Sequence, residues 1–333
     1  MKISIIIPVY NVAPYIAACL QSVMHQTCEH TLECILVDDC GSDDSMTVVE
    51  QNLNTYHGPV AFQVVHHEQN RGLSAARNTG MVHATGDYVC FLDSDDEITP
   101  DSIRRLAEPL QTEPYDMTVG ECRIEGGTIP GVALQLQDGT VLRGKEIVRA
   151  YRQQKWYMMS VNKLYRIDFL RSYGLSFKEG ILHEDELWSF QIACVARSMA
   201  IVAHDTYIYK LRQGSITINT FSEKQMISLN TILTEMDDFA DSCNLDMDPD
   251  VHHIIRNFQV AVLSRVSLHA PDALKSVYRQ QRQTMHSSWF TCCCLNGSDI
   301  RKQLRDFHLA LPIPLAIAYL KPLLHYYQRL SAA

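Results

Sequence analysis

The sequence predicts an α/β protein built on a mostly parallel sheet, followed by a separate helical region. Three observations predict it. Short β-branched apolar runs alternate four times with segments of helical periodicity, as strand–helix–strand crossovers require. Acidic turns follow several of those runs, at the edge where open α/β sheets bind ligands. Beyond Phe221 the apolar residues recur only at helical spacing.

The elements follow in order. Ile3 to Val9 is a β-branched strand stopped by Asn11, and from Pro14 onward Ile16, Leu20, Val23 and Met24 fall on one helical face. Leu32 to Asp38 makes a second strand, and the helix from about Asp43 turns Val48, Val49 and Leu53 inward. Ala61 to His66 is a third strand, and a helix from Leu73 to about Ala84 is punctuated by Gly72 and Gly86. Tyr88 to Leu92 is the fourth strand, and Pro100 opens a helix carrying Ile103, Leu106 and Leu110. After Asp116 the pattern changes: Met117 to Leu142 reads as short strands and turns added antiparallel to the sheet. A helix from Lys145 to Gln154, a strand near Ser160 to Tyr165 and a helix from Glu184 to Arg197 complete a first domain, 1–220. Residues 221–333 are read as a helical region facing the acceptor or a membrane.

With 333 residues, 46% hydrophobic, the chain can bury a sizeable core. A net charge of −9 argues against broad nucleic-acid binding. Eleven cysteines without a CxxC pair, and a start lacking the pattern of a signal peptide, predict free thiols in a reducing, cytoplasmic compartment. The tail Leu309 to Leu324 is apolar but interrupted by Pro312, Pro314 and Lys321, and is too short to span a bilayer. From residue 301 on, five cations (Arg301, Lys302, Arg305, Lys321, Arg329) stand against one acid, Asp306. Such a tail suits peripheral contact with an anionic membrane face, or a terminal helix docked on the protein.

The stretch with the most chemistry is Phe91-Leu92-Asp93-Ser94-Asp95-Asp96-Glu97. Side chains two apart on extended backbone point the same way, so Asp93 and Asp95 can share one hard cation. A calcium loop of the EF-hand type fails at Ile98, where glycine is needed, and at Arg104, where a bidentate Glu is needed.

Ile6 to Asn11, Val37-Asp38-Asp39, Asn70 to Gly80 and the Asp93-Ser94-Asp95 cluster together resemble family 2 glycosyltransferases of the GT-A fold, in order and spacing over about the first 100 residues. The resemblance implies an inverting transfer of a sugar from a nucleotide diphosphate donor, usually of uridine, to a hydroxyl on a glycan or lipid-linked acceptor, with Mn2+ or Mg2+ at Asp93 and Asp95. It implies donor contacts from Pro8, Tyr10, Asp39, Arg71 and Gly72, and from Arg77, Asp93, Ser94 and Arg212. Asp38 and Asp39 are alternatively helix caps, and Arg77 is alternatively an ion-pair partner of Asp87 or Asp93. Cys40 stands where the family usually has glycine, which predicts a loop with no need of positive φ. His183-Glu184-Asp185 matches the family's Glu-Asp pair, with Asp185 as base, Glu184 beside it and His183 the second candidate. Lys163 and His183 fall on the acceptor side by the same resemblance.

Other classes lack their marks. No GxGxxG follows a strand, which excludes a dinucleotide oxidoreductase, and the first turn, Tyr10 to Pro14, lacks the glycine-rich loop of a nucleotidylyltransferase. A processive synthase needs Gln-x-x-Arg-Trp, where this chain has Arg152 and Lys155 before Trp156. A sugar-binding protein retaining the fold without catalysis is the remaining alternative.

Overall fold

A computed structural model describes residues 1–128, 131–211, 221–286 and 288–332. The chain forms two compact units, Met1–Gly180 with Glu184–Ile218, and Ile181–His183 with Asn219–Ala333.

The first unit is laid on one sheet. β1 (Lys2–Val9), β2 (Thr31–Asp38), β3 (Ala61–His66) and β4 (Tyr88–Phe91) alternate with helices α1 (Ile16–Met24), α2 (Ser45–Thr55) and α3 (Leu73–His83). After the short β5 (Glu97–Ile98) and α4 (Ser102–Ala107) come β6 (Met117–Glu125), β7 (Val141–Arg143) and α5 (Lys145–Arg152). Then follow β8 (Lys163–Arg166), α6 (Ile167–Ser172), α7 (Glu184–Val195) and β9 (Ser198–Lys210). The strand order is β3-β2-β1-β4-β8-β6-β9-β5, with β7 on β9.

β1, β2, β3 and β4 pair in parallel, as crossovers by helices demand. β8 runs against both β4 and β6. β6 against β8 and β7 against β9 are the antiparallel additions expected after Asp116, while β6 and β9 differ from that expectation in being parallel to each other. The difference comes from β9: its apolar start, Met199 to Val202, is a full strand that the sequence reading passed over, and α7 returns the chain to lay it beside β6. β1 is buried from Ile3 to Val9, as a central parallel strand should be. α3 crosses β1 so closely that a Cβ on Gly80 would stand 2.3 Å from Ile6 Cγ2. Beneath the carboxyl edge, Phe177 stacks on Trp188 at 4.1 Å and 10°, with the Phe91 ring edge-on at 5.1 Å from Phe177.

The second unit is helical: α8 (Glu223–Ser242), α9 (Pro249–His269), α10 (Leu274–Thr284), α11 (Trp289–Asn296), α12 (Ile300–Asp306) and α13 (Ile313–Ala332). Ser222 and Gln225 close α8 with a reciprocal capping box. His252, Cys292 and Asp306 bring ligand-type atoms within 4.8 Å of one another. They make a poor metal site: Arg305 holds Asp306 with two bonds, at 2.7 and 2.6 Å, Asn296 adds a third, and Arg256 lies 3.7 Å away. Two buried guanidiniums already supply more positive charge than the one carboxylate balances. Among the described residues, no helix is long and apolar enough to cross a membrane.

Candidate active site

The site is built where β1, β2 and β4 end together. Val9 pairs with Asp38, the Asp39 N–H donates to the Val9 carbonyl at 3.0 Å, and the Leu92 N–H donates to the Ile6 carbonyl at 3.0 Å. Tyr10, Asp39 and Asp93 therefore leave the sheet at one edge. Asp39 is 2% exposed and closes the loop before α3: its carboxylate accepts from the Arg71 and Gly72 N–H groups, both at 2.8 Å, and pairs with His67 Nδ1 at 2.6 Å. The other nitrogen of His67 meets Thr79 Oγ1 at 2.8 Å. Gly72, at φ 89, gives the chain the turn that aims these amides at Asp39.

The centre of the site is a guanidinium. Arg77, projecting from α3 and 1% exposed, donates to Asp93 at 2.8 Å with one terminal nitrogen, and with the other to Glu184 at 2.9 Å and Asp185 at 3.0 Å. Its underside covers the Phe177 ring at 5.1 Å. Residues 16 and 108 positions apart in sequence thus meet on one planar cation. The acids of the first turn of α7 are held at the positive end of that helix as well.

The carboxylates around Arg77 still repel one another. Burial, and then Asp95 and Asp185, push the Asp93 carboxyl up despite Arg77. Burial and Asp185 push Glu184 up in the same way. Arg77, in turn, is held more firmly protonated than a free arginine despite its burial. The oxygen ligands that Asp93 and Asp95 offer, two residues apart on one turn, are of the type that fits a hard divalent cation such as Mn2+ or Mg2+.

The profile of one family runs through this edge: the model for "Glycosyl transferase family 2" matches residues 4–174. The chain belongs to glycosyl transferase family 2. Among its relatives, the putative glycosyltransferase EpsH of Bacillus subtilis is 33% identical over 223 residues, 64% of this chain and 62% of that protein. The uncharacterized glycosyltransferase YibD of Escherichia coli is 28% identical over 224 residues, 65% of this chain and 63% of that protein. The chain thus spans about three-fifths of the length of these relatives. The fold is similar to that of S. aureus TarS 1–349 in complex with UDP-GlcNAc, with a TM-score of 0.64 and 21% identity over 99% of this chain and 88% of that one. It is also similar to that of the mannosyltransferase PcManGT from Pyrobaculum calidifontis in complex with GDP-Man and Mn2+, with a TM-score of 0.53 and 16% identity over 96% and 84%.

Within this family 2 chain the expected residues do not all converge. Asp93, Glu184 and Asp185 converge through Arg77, and Asp95 lies half-buried two residues from Asp93. Tyr10 is exposed at the edge, and Pro8 is buried within β1. Arg71 is exposed and pairs with Glu179 at 3.2 Å, while Ser94 is 6% exposed. His183 precedes the acids at φ 63.

Several expectations need correction. Arg77 is the buried counter-ion of the carboxylates, the ion-pair alternative, rather than a cation presented to a donor. The amides at the start of α3 already serve an anion, and that anion is Asp39. Lys163 is fully buried on β8 between β4 and β6, donates to the Met159 carbonyl and lies 4.1 Å from the Tyr157 ring centre, so it reaches no acceptor surface. Cys40 does adopt positive φ, at 58°, so the loop keeps the left-handed conformation for which the family uses glycine. Arg212 lies outside the described residues. Sequence reasoning left Asp96 without a role and did not single out His67 or Tyr207. Tyr207 was findable from the apolar residues that resume after His204, and His67 had no local signal.

Proposed function

We propose that this protein is an inverting glycosyltransferase that moves a hexose or N-acetylhexosamine from a nucleotide diphosphate sugar, most simply a UDP-sugar, to a hydroxyl of a glycan or lipid-linked acceptor. One observation carries the reading: Arg77 gathers the turn that carries Asp93 and Asp95 and the helix start that carries Asp185 onto a single guanidinium. Displacement with inversion needs both, a charge sink for the leaving diphosphate and a base for the attacking hydroxyl.

Asp93 and Asp95 would hold Mn2+ or Mg2+, and a bound divalent cation there supplies charge neutralisation for the leaving nucleotide diphosphate. Asp185 accepts the acceptor hydroxyl's proton at a carboxylate oxygen. Arg77 orients that carboxylate, and Glu184, sharing the same nitrogen, limits its swing. Tyr10, beside the buried Asp39 loop, offers a face for the nucleoside base. A cytoplasmic protein touching the membrane face through residues 309–333 suits a lipid-linked acceptor; exposed Leu315 and Tyr326, both 59% exposed on α13, favour that arrangement.

The test is nucleotide release from a panel of UDP-, GDP- and dTDP-sugars with Mn2+ or Mg2+. Metal-dependent release from one donor is expected, and Asp185→Asn should cut transfer by about 10²–10⁴-fold while leaving UDP binding intact. Sugar-nucleotide binding with no turnover under any metal would favour the non-catalytic binding protein.

A further inference from the structure

Beneath the Asp93–Asp96 turn lies a hydrogen-bonded chain that the proposed chemistry does not use directly. The turn is closed by the Asp96 N–H donating to the Asp93 carbonyl at 3.0 Å. The Asp93 N–H donates to the Tyr207 hydroxyl oxygen at 3.3 Å, and that hydroxyl donates to Asp96 Oδ2 at 2.8 Å. The Lys210 N–H donates to Asp96 Oδ1 at 2.9 Å, and Glu97 pairs with the Lys210 ammonium. Asp96 and Tyr207 are 3% and 0% exposed. Together they tie both ends of the acidic turn to β9, while β5 pairs with β9 through Glu97 and Ile98.

An acid at position 96 is an expensive way to fasten a strand. A neutral side chain would satisfy the Lys210 amide as well, so that bond alone does not explain a carboxylate that also accepts from Tyr207. What the chain does fix is the backbone of Asp93. Three acids within four residues repel one another, and a turn free to relax would splay them apart before a ligand arrived.

We propose that Asp96 and Tyr207 are positioning residues that hold the Asp93–Asp95 carboxylates ready for a cation-bearing nucleotide diphosphate. The inference rests on the reading of Asp93 and Asp95 given under Proposed function. Preorganisation of this kind acts on the ligand that engages the turn, and leaves the nucleoside subsite near Tyr10 and Asp39 alone.

The experiment is calorimetric titration of the full chain with Mn2+ plus UDP, and separately with uridine, well below the melting transition. Tyr207→Phe removes one oxygen and keeps the packed ring; it should weaken Mn2+-dependent UDP binding about ten-fold and leave uridine affinity unchanged. Asp96→Asn should do the same, and the double variant should lose no more than about two-fold beyond either single one, because both cut one chain. Equal loss of UDP and uridine affinity would mean a merely structural role and would overturn the inference. Wild-type affinity for Mn2+ with UDP in both variants would overturn it too, with the reading of Asp93 and Asp95 left standing. A wild-type protein that binds UDP no better with Mn2+ than without would overturn that reading and the inference together.

Discussion

Removing the Arg77 charge is the sharpest test of the site. The guanidinium is 1% exposed and spans three carboxylates at 2.8, 2.9 and 3.0 Å, whose side chains are 29%, 11% and 24% exposed. At an effective dielectric near 20, each such contact contributes about 4 kcal/mol of gross attraction. Repulsion among the acids and desolvation of the arginine consume most of that sum. What remains in Arg77→Met is a set of uncompensated, partly buried carboxylates, and breaking buried pairs of this kind costs about 3–5 kcal/mol. Arg77→Lys keeps the charge but not the planar fork, loses at least one charge-assisted bond, and should cost about 1.5–3 kcal/mol. Urea denaturation followed by the fluorescence of Trp188, stacked on Phe177 beneath the arginine, measures both. The pH dependence gives a second readout. Asp93 and Glu184 have folded pKa values raised above their unfolded ones, so the stability they contribute is present at low pH and is lost as pH rises through the folded values. Without Arg77 that loss steepens, and the gap between wild type and Arg77→Met should widen from pH 5 to pH 8. An Arg77→Met protein within about 0.5 kcal/mol of wild type, or a gap that narrows with rising pH, would refute the ion-pair account.

Three further outcomes follow from the packing. Lys163 has its pKa lowered from 10.5 to about 7 by burial, so the fold bears a cost that is full below the folded value and disappears as pH rises through the unfolded one. Lys163→Met should therefore be more stable than wild type by about 1–3 kcal/mol at pH 7, and a gain that persists undiminished at pH 10.5 would contradict this origin. Gly80→Ala places a methyl group against Ile6 between α3 and β1 and should cost about 1–3 kcal/mol in urea denaturation; an unchanged midpoint would show that the helix shifts freely. In the helical unit, burial lowers His252 and His308 from 6.5 to about 3, so their contribution is intact above pH 6.5 and declines as pH falls toward 3. At pH 4.5 each should cost about 2–3 kcal/mol, read as lost hydrogen-exchange protection in α9 and α10 after pulse labelling at one common pH. Equal protection after incubation at pH 7 and pH 4.5 would count against it.

How much of this was legible in the sequence depended on the range of the signal. β1, β2 and β4 announce themselves because a strand buried on both faces is a nearly continuous apolar run, and the turns after β2 and β4 carry their own acids. β9 escaped because its apolar start is followed by the polar Ala203-His204-Asp205-Thr206, which reads as a loop until β6 and β5 are known to flank it. The site divides along the same line. Asp93, Asp95 and Asp185 are visible because each stands at the end of an element whose pattern is local. The partners that set their geometry are fixed only by tertiary structure: Arg77 looks like one more cation on a helix face until α7 brings Glu184 and Asp185 to it across 107 and 108 positions.

Asp39 is legible in the sequence only in part. An acid at a strand end suits a ligand contact, a helix cap or a loop latch equally well, and its local sequence does not distinguish them. The choice was made by Gly72, whose positive φ turns two backbone amides toward the carboxylate, and by His67, which closes the other side. With those donors in place Asp39 latches the loop before α3, and three other carboxylates gather around Arg77. Asp39 is thus held by two backbone amides and an imidazole, whereas Asp93, Glu184 and Asp185 share one guanidinium.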